Sequence, residues 1–220
     1  MQSIIIARPY QFVPPHRGTF GARILRLWLP GHLRKNFGIT SVECRGVEHL
    51  RRSVDAGHGI LLAPNHSRPC DPFVLDALGR QVHRYFHVLA SWHLFMQSRV
   101  QRWLLPRAGV FSIYREGTDR EALKCAIKIL VQARRPLVIF PEGVISRHND
   151  RLNHLMEGTA LIARSAAKQR AAGNPPGQVV LHPVAIRWLF EGDVERSVTP
   201  MLDEIERRLS WRVSSVRALV

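Results

Sequence analysis

The chain has 220 residues, of which 45% are hydrophobic; this is ordinary for a globular protein and predicts one domain, or one domain with an appendage. Lys and Arg number 32 against 17 Asp and Glu, a formal net charge of +15, so the surface seeks polyanions: nucleic acid, an anionic membrane or phosphorylated small molecules. The three cysteines, Cys44, Cys70 and Cys125, are far apart; an odd, sparse set argues against a disulfide framework and fits a reducing compartment.

Residues 1–17 contain Ile4-Ile5-Ile6-Ala7 but no basic start and no long apolar core. They make a poor signal peptide. Pro9, Pro14 and Pro15 predict an extended arm. In residues 18–36, Ile24, Leu25, Leu27, Trp28, Leu29 and Leu33 alternate with Arg23, Arg26, Arg34 and Lys35, and Pro30-Gly31 divides the run into two short pieces. No window approaches the roughly 20 apolar residues that span a bilayer. A basic amphipathic helical segment of this kind lies in the headgroup layer, or else packs on the domain surface with its arginines solvated.

Residues 37–50 predict a first strand with Ile39, Val42 and Val47 as its apolar positions. Ile60-Leu61-Leu62-Ala63 predicts a short buried strand, which runs into Pro64-Asn65-His66-Ser67-Arg68-Pro69-Cys70-Asp71-Pro72. Asp71-Pro72 reads as a helix start, with Asp as N-cap and Pro at the first helical position; the helix covers 71–81. His66 therefore sits at the carboxyl end of a strand, where open α/β sheets place reactive groups, with Asp71 at the mouth of the next helix. A carboxylate on one ring nitrogen fixes the tautomer and stabilises the imidazolium, so the other nitrogen can take a proton from a hydroxyl. Taken alone, the stretch also admits a chance polar turn, a metal pair of His66 and Asp71 lacking HExxH or CxxC company, or a Cys70–His66 nucleophile pair.

Residues 85–90 predict a strand, with His83 and His87 as ordinary polar histidines at its flank. A single helix is expected over 92–105. Val110, Phe111 and Ile113 predict a strand that ends at Arg115, whose planar guanidinium suits phosphate. Thr118 or Asp119 caps a helix over 118–134. Leu137-Val138-Ile139-Phe140 is another buried strand, and it delivers Glu142 and Gly143 to the edge that carries His66. Gly143 permits a turn whose backbone N–H groups face an anion. A helix over 151–170, a Pro/Gly turn over 171–177, a last strand over 179–186, a loop over 191–198 and a short helix over 201–209 complete the pattern. The alternation predicts an α/β fold with a mixed, largely parallel central sheet flanked by helices. No zinc-finger spacing, RNP-like strand or basic zipper is present, so no nucleic-acid partner is expected.

Four blocks occur in order: Asn65-His66-x4-Asp71, Gly109-x-Phe111-x-Ile113-x-Arg115, Phe140-Pro141-Glu142-Gly143 and Pro183-Val184-Ala185-Ile186. Together they resemble the glycerolipid acyltransferase family, specifically the 1-acylglycerol-3-phosphate acyltransferases, over about residues 37–190. The resemblance implies transfer of a fatty acyl group from acyl-CoA or acyl-carrier protein to the free hydroxyl of a lysophospholipid, in phospholipid biosynthesis. It implies catalysis by His66 and Asp71, acceptor binding by Arg115, Glu142 and Gly143, and support from Asn65, Gly109, Phe140, Pro141 and Pro183. No metal and no bound cofactor is expected; the acyl thioester is a co-substrate. The expected partners are the two substrates, an anionic membrane surface and acyl-carrier protein, with the protein peripheral on the cytoplasmic side of a membrane. The domains are then a membrane-contact arm and segment at 1–36, an acyltransferase domain at 37–190 and a C-terminal helix and tail at 191–220. Within this picture the helix at 92–105 packs as core or lines an acyl-chain pocket.

The sequence departs from the family pattern in three places. Arg68 stands where Ser is common two residues after the His. Val144-Ile145-Ser146 follows Phe-Pro-Glu-Gly where Thr-Arg-Ser is usual. Leu155-Met156-Glu157-Gly158 replaces a Lys-rich approach to the next helix. These differences leave the acceptor and its head group open. Two other readings stay open as well: a thioester or ester hydrolase using the same His66, and a non-catalytic basic module binding membrane or nucleic acid.

Overall fold

The computed structural model describes residues 9–209. They fall into two compact units, one ending at Ile186 and one starting at Arg187. The first unit holds five strands: β1 (Gly59–Pro64), β2 (His87–Ser91), β3 (Val110–Ile113), β4 (Leu137–Val138) and β5 (Val179–Val184). They pair in the order β3-β2-β4-β1-β5, and every pairing is parallel, with Leu61 opposite Leu137 and Val88 opposite Val110. A parallel sheet puts all its carboxyl ends on one edge. The residues after β1, β3 and β4 therefore emerge together, and those after β1 and β4 are immediate neighbours.

Alternation along β1 decides the layers. Leu61 points into a cluster with Phe111, Ala126, Ile129, Leu130, Leu137, Ile162 and Ala166, built with α6 (Arg120–Gln132) and α7 (Glu157–Ala171). Ile60 and Leu62 point the other way, onto Val47, Leu50, Leu75 and Val82 from α2 (Val47–Asp55) and around α3 (Asp71–Gln81). The result is a sheet with helices on both faces. The expected α/β class holds, and the sheet is wholly parallel rather than mixed.

The proline-rich arm runs along the outer edge of β3. Ser112 N–H donates to Val13 O at 3.0 Å, Val13 N–H to Ser112 Oγ at 2.8 Å and His16 N–H to Pro106 O at 2.9 Å. The arm thus satisfies an edge strand that would otherwise be open to pairing. The isoleucine run at 4–6 and the tail beyond 209 lie outside the described residues.

Several predicted elements are corrected, each for a local reason. The strand expected over 37–50 is absent: residues 38–46 have no regular structure, and Val47 and Leu50 recur at helical period as buried positions of α2. Pro30 does not break the first helix, α1 (Phe20–Phe37). A proline has no N–H to give the carbonyl four residues back, and that carbonyl, Arg26 O, instead accepts from the Arg80 guanidinium. Residues 92–105 form two helices, α4 (Trp92–Met96) and α5 (Arg99–Arg107), because Ser98 caps a new start by accepting from Gln101 N–H at 3.0 Å. Cys70, not Asp71, holds the N-cap position of α3. α7 starts at Glu157 rather than 151. In the second unit, α8 (Val194–Leu209) begins well before residue 201 and runs through Pro200. His87 is buried rather than an ordinary polar flank: its Nδ1–H donates to Gly109 O at 3.0 Å.

Candidate active site

The turn between β1 and α3 is fixed from several directions. Asn65 spans to the end of β5: its Nδ2 donates to Ile186 O at 3.0 Å, and its Oδ1 accepts Ile186 N–H at 2.6 Å. Its Nδ2 also reaches Ser67 Oγ at 3.1 Å. Asp71, on the first turn of α3 and fully buried, accepts Arg68 N–H at 2.8 Å. The same oxygen, Oδ2, lies 2.9 Å from His66 Nδ1. A carboxylate oxygen accepts, so Nδ1 carries the hydrogen, and in the neutral ring Nε2 is the nitrogen with the lone pair. The His66 side chain is 16% exposed, enough for a reactant to approach it.

His66 is held by more than its ring. Its N–H donates to Glu142 Oε1 at 2.7 Å, and its carbonyl accepts Ser146 N–H at 2.7 Å. The Phe140 ring lies against the imidazole, centroids 4.2 Å apart and 31° between planes. Backbone N–H, backbone C=O, ring nitrogen and ring face are thus each constrained. An imidazole so held can accept a proton at Nε2 without first reorganising.

The turn after β4 supplies most of this grip. Gly143 N–H donates to Phe140 O at 3.1 Å, closing a turn in which Gly143 has φ +65°, a backbone region costly to any residue with a Cβ. A Cβ there would also run into Met156 Sδ, and it would stand 3.8 Å from Arg115 Nη2. Arg115, exposed two residues beyond β3, therefore reaches the same point as Gly143. Gly109, before β3, has φ +94°, and a Cβ there would press on Phe86 O at 2.8 Å and on the Arg135 guanidinium. Glu142 is buried, and its two oxygens accept His66 N–H and Asn153 N–H, the latter at 3.1 Å. Pro141 O accepts Met156 N–H at 2.8 Å. Pro183 lies in β5, opposite Ala63.

Cys70 is buried, and burial first and Asp71 second push its thiol pKa up. That is the wrong direction for an activated nucleophile. Among the described residues, no group of three or more His, Cys, Asp and Glu comes together as metal ligands would.

Two supports were not legible as such in the sequence. Ser146 lies in the block that departs from the family pattern. Tyr10 precedes the resembling region altogether. The Tyr10 hydroxyl donates to Asp119 Oδ2, and its ring stacks on Tyr114 at 5.0 Å. The same Asp119 oxygen accepts Tyr114 N–H at 3.0 Å, and Oδ1 caps α6 through Ala122 N–H at 3.0 Å. Burial, followed by the bond to Asp119, pushes the Tyr10 pKa up, so it stays a donor. The arm thereby holds the turn that carries Arg115.

Comparison with curated proteins and with solved structures gives no match. The family model described as Acyltransferase matches residues 41–187, which is more than half of the chain and contains β1 through β5 with the whole of the turn cluster around His66. Acyl transfer is the chemistry that this match carries, and the chain belongs to the glycerolipid acyltransferase family.

Proposed function

We propose that the protein transfers a fatty acyl group from acyl-CoA or acyl-carrier protein to the free hydroxyl of a lysophospholipid, 1-acylglycerol-3-phosphate by preference, in phospholipid biosynthesis. The observation that carries this reading is the pair His66–Asp71, with Nδ1 on the carboxylate and Nε2 left as base. The acceptor hydroxyl attacks the thioester carbonyl carbon and gives its proton to Nε2. The tetrahedral adduct collapses, the carbon–sulfur bond breaks, and the leaving thiolate takes that proton back. The products are an ester and a free thiol. Proton transfer of this kind contributes ~10²–10⁴ in rate. Arg115 holds the acceptor phosphate through its guanidinium fork, beside the Gly143 turn. Glu142 serves the acceptor site by fixing the turn, since its oxygens already take two amides.

The bilayer that supplies the acceptor meets the outer face of α1. Phe20, Ile24 and Leu27 form an exposed stripe at spacings of four and three, opposite the buried Ala22, Leu29 and Leu33. Neither α1 nor α5 contains an acidic residue, and an open groove on α5 is lined by Arg99, Arg102, Arg107 and Trp103. Among the described residues no helix is long and apolar enough to cross a membrane, so the contact proposed is a peripheral one with anionic lipid.

Product analysis tests the reading. With an acyl-labelled thioester and lysophosphatidate, the label is expected in phosphatidate. Label recovered as free fatty acid instead would make the protein a hydrolase.

A further inference from the structure

The segment after Gly143 closes back onto the turn it leaves. Ser146 N–H donates to His66 O, Asn153 N–H to Glu142 Oε2 and Met156 N–H to Pro141 O. The loop 144–156 is therefore fastened to the residues that hold His66. Its exposed side chains include Ile145, Leu152, Leu155 and Met156, which are 40–58% exposed. A single exposed apolar residue needs no explanation; four on one loop tied to the catalytic turn do.

The chemistry at Gly143 says what they face. Met156 Sδ fills the space where a Cβ of Gly143 would stand, and Arg115 Nη2 lies 3.8 Å from that same position. An apolar surface and a phosphate-binding cation thus meet at one point beside His66. A lysophosphatidate has matching parts: a phosphate on one terminal carbon of glycerol, a fatty chain on the other, and the free hydroxyl between them. Methionine is unbranched and polarizable and adapts to a flexible chain.

We propose that loop 144–156 is the seat of the acceptor's own fatty chain, which lies along Met156, Leu155 and Leu152 while the phosphate rests on Arg115 and the middle hydroxyl faces His66. This rests on the acyl-transfer reading at His66 and adds to it the place where the acceptor's chain lies.

The test uses the full chain and a series of lysophosphatidates of increasing chain length, kept below their aggregation concentrations so that no bilayer is present. For the wild type, KM should fall steeply with length, by up to roughly fourfold per methylene where burial is complete and by less on a one-sided surface. For Leu152→Ser, Leu155→Ser, Met156→Ser combined, the slope should flatten, with KM for the longest monomeric acceptor raised about tenfold or more. The backbone N–H groups remain in place, so thermal melting checks that the fold is intact. A second arm measures binding of the same acceptors by calorimetry in His66→Ala, with and without the loop changes, and should give the same loss. An unchanged length slope in a folded triple variant overturns the proposal. So does a loss of vesicle binding with the slope untouched, since the loop would then be a bilayer contact. Retained turnover in His66→Ala would instead remove His66 as the base of the transfer, and the binding arm keeps the two failures apart.

Discussion

Glu142 accepts the backbone N–H of His66 at 2.7 Å. Through that bond the turn after β4 holds the turn after β1, and two sequence blocks 76 residues apart become one site. The adjacency of β1 and β4 in a parallel sheet makes the contact possible. The second oxygen of Glu142 binds Asn153 N–H, so the loop beside the site is held by the same side chain.

Glu142→Ala should leave two part-buried amides without their acceptor, at a cost of ~1–3 kcal/mol in stability. Glu142→Gln keeps one acceptor oxygen and turns the other into a donor aimed at an N–H, so it should recover only part of the loss. Denaturant midpoints give the first comparison. The turnover number, measured where both variants are folded, should fall because His66 loses its placement, and acceptor KM should rise as the loop tied through Asn153 loosens.

Asp71→Asn should preserve the fold and lower kcat by ~10²–10⁴, because an amide can offer Nδ1 a donor and reverse the tautomer. The bond to Arg68 N–H can survive on the amide oxygen. Circular dichroism beside steady-state rates would separate the two effects. Activity near wild type would mean that Asp71 only caps the turn.

Arg115→Ala should raise KM for a phosphorylated acceptor by tenfold or more relative to a neutral one, with kcat less affected. An unchanged ratio would make Arg115 a structural residue. Tyr10→Phe removes the hydroxyl from Asp119 but keeps the stack on Tyr114, and should cost about 1 kcal/mol with a smaller change in the same KM ratio.

His87 gives a pH signature. Burial, reinforced by the nearby Arg135 cation, lowers its pKa to about 4 from 6.5. The folded state therefore favours the neutral ring, and the unfolded chain binds the extra proton between those values. Stability from this group is complete above pH 6.5 and is lost as pH falls toward 4, by up to about 3 kcal/mol. His87→Asn can keep the donor to Gly109 O and should flatten the decline across that window. Unfolding free energies measured at several pH values would show it.

The parts of the fold legible in the sequence were those written locally. Ile60-Leu61-Leu62-Ala63 followed by Asp71-Pro72 announces β1, the turn and α3 within a few residues, and His66 with Asp71 is readable there because both side chains belong to one turn. The unreadable parts depend on distant partners. Pro30 sits inside α1 because Arg80 takes the carbonyl that proline leaves free. α7 starts late because Pro141 and Glu142 claim the amides of Met156 and Asn153. His87 is buried because its place in the sheet sets it behind Gly109. Tyr10 lies 109 residues from the Asp119 it holds, and no local pattern marks such a pair.

The most direct measurement is thiol release from acyl-CoA, and from acyl-carrier protein, with and without lysophosphatidate, for the wild type and for a folded His66→Ala. Release should require both the acceptor and His66, with phosphatidate as the product. Release that persists in His66→Ala, or that proceeds equally without acceptor, would contradict that requirement.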